Sequence, residues 1–92
     1  MLLVIRGPAK IGKRGSTLVV YNPKVGEKGE VSWERGAFLL LDLELVVVVG
    51  RRARISTGAI LMLAEANVPL VFHSRRIDSI LVSPLCREDS RD

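Results

Sequence analysis

The chain has few of the residues from which active sites and crosslinks are built. Its 92 residues include one cysteine, Cys86, and one histidine, His73. A single cysteine excludes an internal disulfide and a cysteine-based zinc site, which favours a reducing compartment. No neighbour in the sequence activates the Cys86 thiol, and no second histidine is present to share a zinc ion with His73. Neither residue marks a site from the sequence alone.

The spaced motifs of common enzymes are also missing. The 8 glycines show neither phosphate-loop nor dinucleotide-binding spacing, and Ser16 and Ser32 have no general base to activate them. Asp42 and Glu44 lie two residues apart on an extended segment, where one metal ion can touch both, yet no third ligand is visible. We predict that this chain is not catalytic by itself and holds no metal or cofactor, and whether the whole protein is an enzyme stays open.

No apolar stretch is long enough to cross a membrane. The longest, Ala37–Val49, carries Asp42 and Glu44 and is too short to span a bilayer. The opening residues MLLVIRG have no basic start and no small-residue cleavage site, so we expect no signal peptide. These features predict a cytoplasmic protein without a membrane partner.

The positive charge that is present is mostly arginine. The net charge is +4, with 14 basic and 10 acidic residues, and every basic residue after position 47 is an arginine. Two arginine clusters each follow an apolar run, the first at Arg51, Arg52 and Arg54 and the second at Arg75 and Arg76. Such a basic excess permits a polyanionic partner without proving one.

The segment from residue 45 to 72 predicts a β-strand, a helix and a parallel β-strand. Leu45–Val49 is an unbroken apolar run rich in valine, which indicates a strand buried on both faces. Ser56 is a helix N-cap candidate, Thr57–Ala66 is apolar, and Asn67 suits a left-handed cap. Leu70–Phe72 is the second strand, so the unit is a right-handed crossover.

Because parallel strands end on the same edge of a sheet, we expect the two arginine clusters to lie together, beside the N-terminus of the crossover helix. That arrangement favours phosphate binding. The alternative is that the arginines pair with Asp78, Glu65 or the acidic tail, or are simply solvated.

The remaining pattern predicts short strands. Leu2–Arg6, Ala9–Lys13 and Leu18–Tyr21, separated by glycine turns, indicate a three-strand meander. Glu30–Glu34 alternates polar and apolar residues, which indicates a hairpin partner for the third of these strands. The predicted fold class is α+β, a small, twisted, mostly β two-sheet domain with one crossover helix. We predict a single domain over residues 1–86 and a frayed tail over residues 87–92.

The apolar pattern of the predicted helix indicates a protein partner. Ile60–Ala64 is apolar around the whole cylinder, and a helix of this kind is covered on more than one side. So short a chain has little material for the second side. We therefore predict a homodimer interface at Ile60, Leu61 and Leu63, the alternative being a loop of the same chain folded over the helix.

The aromatic residues are few and scattered. Tyr21 and Trp33 are expected to pair across the hairpin rather than to stack on nucleobases.

Several of these segments resemble the N-terminal β-rich domain of the CRISPR-associated adaptation integrase, the first-numbered Cas protein. The resemblance covers nearly the whole chain, and the run from Asp42 to Phe72 carries most of it. The matching segments are Leu3-Val4-Ile5, Leu18-Val19-Val20, Asp42-Leu43-Glu44, Val46–Gly50, Arg54-Ile55-Ser56, Ile60–Glu65 and Val68–Phe72.

The resemblance implies a role in spacer acquisition for antiviral defence. In that family this domain joins two protomers across double-stranded DNA, and a separate helical endonuclease domain holds Mg or Mn. The second-numbered Cas adaptation protein is a further implied partner. Arg54 matches a family arginine that is a candidate backbone contact, and Arg6 takes the position where some relatives carry an aromatic wedge.

The resulting hypothesis is a dimerising, DNA-contacting platform of an adaptation integrase. The DNA-binding residues it names are Arg6, Arg51, Arg52, Arg54, Arg75 and Arg76. The alternatives are a small homodimeric protein-interaction module without a nucleic-acid role and a domain that binds an anionic metabolite at the helix N-terminus.

Overall fold

The computed structural model of the chain describes residues 1–75 and 80–82, and its strands form two four-stranded sheets. The strands of the first sheet are β1 (Leu2–Arg6), β5 (Leu45–Val49), β7 (Leu70–His73) and β8 (Ile80–Val82), in that order across the sheet. Those of the second are β4 (Val31–Leu39), β3 (Thr17–Val25), β2 (Ala9–Arg14) and β6 (Ala53–Ile55). A 3-10 turn, Leu40–Asp42, and one helix, α1 (Thr57–Glu65), complete the described elements.

The predicted fold class is confirmed. β5, α1 and β7 form the crossover, and β5 lies parallel to both β1 and β7. The local signals for the helix hold as well, because the Ser56 side chain accepts a hydrogen bond from the Ala59 N–H at 3.1 Å. Asn67 takes the left-handed conformation after the helix, with φ of 58°.

The prediction that β5 is buried on both faces is wrong. Val46 and Val48 are fully buried, whereas Leu45, Val47 and Val49 are only partly buried. The buried residues point toward the second sheet and share one core with it, and no described element covers the opposite side. Parallel sheets normally carry helices on both faces. In this chain the described elements cover only one face of the first sheet.

The predicted meander of β1, β2 and β3 is also wrong in its first strand. β1 pairs with β5 in the first sheet, and the antiparallel meander is β2, β3 and β4. The apolar run of β1 finds its partner in the valine strand about forty positions later, and local spacing carries no information about such a contact. The hairpin of β3 and β4 is confirmed.

Ala53–Ile55, which directly follow Arg51 and Arg52, form the short strand β6. β6 lies parallel to β2, with Arg54 opposite Lys10, and the Ser56 N–H donates to the Ile11 carbonyl at 2.9 Å. β6 pairs with the side of β2 that faces away from β3. This pairing satisfies backbone groups that would otherwise be unpaired at the sheet edge. The crossover therefore passes along the second sheet before the helix begins.

The helix is covered mainly by its own chain. Ala59, Met62 and Leu63 are buried in the common core, and Ile60 packs against that core. Leu61 is 56% exposed. The prediction of Leu63 as an interface residue is therefore wrong, since its side chain is only 1% exposed within one chain.

No helix among the described residues is long and apolar enough to cross a membrane. Arg76, Cys86 and the predicted tail over residues 87–92 lie outside the described residues.

Candidate nucleic-acid interface

The carboxyl ends of three parallel strands bring four arginines to one edge of the first sheet. β1, β5 and β7 end side by side, and hydrogen bonds continue past their ends, from Gly7 N–H to the Val49 carbonyl at 2.8 Å and from Gly50 N–H to the His73 carbonyl at 2.9 Å. Arginines end β1 or follow β5 and β7, and each is exposed. We call this set the basic edge: Arg6, Arg51, Arg52 and Arg75.

Two residues fix the backbone of the basic edge. The Asn22 side chain, through Nδ2, donates to the carbonyls of Arg6 and Pro8 at 3.1 Å each, which ties the turn after β1 to the second sheet. Gly50 ends β5 with φ of 101°, a conformation that costs little only for glycine. The chain can then turn sharply, so that Arg51 and Arg52 lie beside the end of β1.

The two arginine clusters come together in part. Arg51, Arg52 and Arg75 share the basic edge, as expected, but Arg54 leaves it on β6. The three residues of β6 extend roughly 10 Å, and they carry the chain along β2 toward the start of the helix. The helix N-terminus lies near Lys13 instead, whose side chain approaches Gly58. The expectation of an arginine cluster beside the helix N-terminus is therefore corrected.

The arginines of the basic edge form no ion pair within the described residues. The ion pairs in that part of the chain join the Met1 ammonium to Glu44 at 3.0 Å and Lys24 to Glu34 at 3.5 Å. Glu65, one partner considered from the sequence, pairs with neither cluster there, and Asp78 and the acidic tail lie outside that part. The charge of the basic edge is thus open to an external anion as far as residues 1–75 and 80–82 are concerned.

A second basic surface was missed by sequence reasoning. On the outer side of the second sheet, the register places Arg54 opposite Lys10, Lys10 opposite Tyr21, and Tyr21 opposite Arg35. Trp33 lies on the same side, two residues along β4, and the Lys10 Nζ is 4.9 Å from the centre of its ring. We call these five residues the aromatic–basic face.

The predicted pairing of Tyr21 with Trp33 is only diagonal. Trp33 lies opposite Pro23, and Tyr21 lies opposite Arg35. The signal for the aromatic–basic face is the alternation in β2, β3 and β4, but it becomes readable only once the register between these strands is known.

An apolar surface covers the outer side of the first sheet. Val4, Val47 and Val71 form one row across β1, β5 and β7, and Leu2 and Leu45 form the next. Leu2 is 59% exposed and Val4 45% exposed, while the other three are partly buried. We call this set the apolar face: Leu2, Val4, Leu45, Val47 and Val71. On the helix the corresponding exposed large apolar residue is Leu61.

The described residues contain no ligand set for the Mg or Mn that the family resemblance assigns to a separate helical domain. Within that part of the chain no group of three or more His, Cys, Asp and Glu residues is placed to hold a metal ion. Glu44 accepts instead from the ammonium of Met1, which also donates to the Asp42 carbonyl at 2.7 Å. Asp42 and Glu44 thereby anchor the start of β1 beside β5.

The fold and its cationic edge define a small two-sheet α+β domain, and comparison with known proteins places it in a family. Residues 2–82 match the family described as CRISPR associated protein Cas1. The chain belongs to the Cas1 family, as the sequence resemblance indicated. Comparison with curated protein sequences finds no significant match.

Solved structures share the fold. A casposase bound to integration product has a TM-score of 0.67 at 17% identity, and it covers 90% of this chain with 24% of its own length. A Cas1–DNA complex has a TM-score of 0.65 at 14% identity, covering 99% of this chain and 28% of the other. A partial Cas6-RT-Cas1–Cas2 complex has a TM-score of 0.68 at 18% identity, covering 97% and 25%. The chain thus spans about a quarter of the length of these proteins.

Proposed function

We propose that this chain is a DNA-contacting and dimerising platform of a CRISPR adaptation integrase, used in spacer acquisition and not catalytic by itself. The observation that carries the proposal is the basic edge, where exposed arginines from three strand ends converge without an ion pair inside the described part of the chain. Membership of the Cas1 family supports the choice of DNA as the polyanion.

The arginines suit a DNA backbone for a physical reason. A planar guanidinium donates two parallel hydrogen bonds to one phosphate and keeps its charge at any physiological pH. Among the described residues these exposed arginines have no ion-pair partner that DNA binding would have to displace. Each phosphate contact also liberates condensed counterions from the duplex, which makes the affinity strongly dependent on salt.

We further propose that the partner on the apolar face is a second copy of this chain. A two-fold axis that stacks two apolar faces with their strands in opposite directions brings the basic edge of one copy near Glu44 and Asp42 of the other. Such an arrangement pairs apolar with apolar and positive with negative at the same time. This places the homodimer contact on the first sheet, whereas the sequence indicated Ile60, Leu61 and Leu63 on the helix.

In the same proposal the partners are double-stranded DNA and the Cas2 adaptation protein. Support for the second comes from a solved neighbour that contains both Cas1 and Cas2. Any Mg or Mn chemistry belongs, in this proposal, to the helical domain implied by the family resemblance and not to the described residues, which present no suitable cluster of ligands.

Replacing Arg51 and Arg52 with alanine is expected to weaken duplex DNA binding by at least about tenfold near 0.1 M salt. The slope of log affinity against log salt is expected to become shallower by about two, one for each lost phosphate contact. Fluorescence anisotropy of a labelled duplex over a salt series measures both quantities.

The matched control replaces Lys24 and Lys28 with alanine, which removes the same net charge from the distant hairpin of β3 and β4. If the control weakens binding as much as the arginine variant, net charge explains the affinity and the basic edge does not. If wild-type protein fails to bind duplex DNA at low salt, the DNA part of the proposal is wrong. A small homodimeric interaction module, which the apolar face supports, would then be the better description.

A further inference from the structure

We propose that the aromatic–basic face is a binding site for single-stranded nucleic acid, in which an unpaired base stacks on Trp33 while Lys10, Arg35 and Arg54 contact its phosphates. The inference rests on the proposed function in so far as the ligand is a nucleic acid. It assigns this ligand to the outer side of the second sheet, away from the arginines of the basic edge.

The sheet itself sets the spacing of the site. Arg54, Lys10, Tyr21 and Arg35 occupy one row across four neighbouring strands. Because adjacent strands lie about 4.8 Å apart, this row is about 14 Å long. The backbone of β2 and β3 holds the central pair of side chains, so the positions of these groups are set by hydrogen-bonded strands and not by loops.

The exposure of Trp33 is the unusual feature. Its side chain is 47% exposed on a strand whose opposite side carries the half-buried Phe38. A tryptophan on a sheet surface can lower its free energy by covering its ring, and among the described residues the Lys10 ammonium lies over this ring, 4.9 Å from its centre. A base that stacks on the exposed ring displaces this weak cation–π contact, and the released ammonium then lies next to a phosphate of the same ligand.

The charged strand residues on this side of the second sheet are all positive. Strand residues facing outward from β2, β4 and β6 include Lys10, Arg14, Arg35 and Arg54. The acidic residue of β4, Glu34, alternates to the other side, where it pairs with Lys24. A base stacked on Trp33 therefore lies next to the row of cations formed by Arg35, Lys10 and Arg54, with no carboxylate among the strand residues of that face.

The shape of the site favours a single strand over a duplex. The base faces of a duplex are covered by their neighbours except at its ends, so a ring on a broad sheet cannot reach them. An unpaired base offers its face freely, and stacking on an aromatic ring together with cationic contacts to the phosphates is how sequence-tolerant single-strand sites gain affinity.

The chain provides its own reporter, because Trp33 is its only tryptophan. Titration of the 92-residue protein with an oligothymidylate of about 16 nucleotides is expected to quench the tryptophan fluorescence. Replacing Trp33 with alanine is expected to weaken single-strand binding by about tenfold or more, as measured by anisotropy of the labelled oligonucleotide. Trp33→Phe is expected to restore part of the affinity, and duplex affinity is expected to stay within about twofold of wild type.

Val31→Ala is the matched control, since Val31 is an exposed apolar residue on the same strand and the same side. The inference is overturned if oligothymidylate binds without quenching, or if Trp33→Ala and Val31→Ala have equal effects. Loss of duplex binding in the Arg51/Arg52 variant with unchanged single-strand binding in Trp33→Ala would overturn this inference and leave the proposed function standing. Quenching by the single strand with no duplex binding would support this inference and contradict the DNA part of the proposed function.

Discussion

Replacing Leu63 with alanine is expected to lower the free energy of unfolding by about 2–5 kcal/mol. The Leu63 side chain is 1% exposed and belongs to the core that the helix shares with both sheets. Truncation removes its buried methyl groups and leaves a cavity that the surrounding strands can fill only in part. A domain of this size has a total stability of about 5–15 kcal/mol or less, so the variant is expected to be close to unfolding. Urea denaturation followed by circular dichroism measures the change.

Leu61→Ala is the matched control, because it makes the same change two residues earlier on the same helix. Leu61 is 56% exposed, and its truncation is expected to cost less than about 0.5 kcal/mol. Equal losses in the two variants would contradict the assignment of Leu63 to the core. A drop in self-association in Leu61→Ala would instead return the dimer contact to the helix, where the sequence pattern put it.

Replacing Val47 with glutamate is expected to abolish dimer formation, with the dissociation constant rising by at least about 100-fold, or about 2.7 kcal/mol. Val47 is the middle of the row Val4, Val47 and Val71 on the apolar face. A contact related by a two-fold axis contains each residue twice, so the substitution introduces two unpaired charges into one interface. Sedimentation velocity over a concentration series measures the shift.

The control for this experiment is Val25→Glu, which places the same charge on an exposed valine of the second sheet. It is expected to leave the association unchanged. The thermal melting of Val47→Glu, measured below the dissociation constant of the wild type, separates loss of the dimer from loss of the fold. If the wild-type chain is monomeric throughout, or if Val47→Glu sediments like the wild type, the proposed interface is wrong.

Local signals predicted the crossover well. The valine run of β5, the Ser56 cap and the left-handed Asn67 are each determined by residues close in sequence. The membership of strands in sheets was predicted less well, since β1 and β6 are fixed by partners that lie far along the chain. The valine run also indicated two buried faces, but valine propensity does not report whether anything packs on the second side.

The site shows the same division. The meeting of Arg51 and Arg75 at one edge followed from the general rule that parallel strands end together. Arg54 lies away from the basic edge because it is part of β6. A strand of three residues has too weak a sequence signal to be predicted. The aromatic–basic face could be predicted only with knowledge of the register between β2, β3 and β4. Lys10 and Trp33 are too far apart in sequence for any motif to connect them.

The most direct test of the proposed platform is the composition of its complex with DNA. Sedimentation equilibrium of the wild-type chain with a short labelled duplex at low salt gives the mass of the complex. We expect a homodimer on one duplex, and we expect the complex to dissociate as the salt concentration is raised. A single mass equal to the free chain, with the duplex sedimenting alone at the lowest salt concentration, would contradict the account.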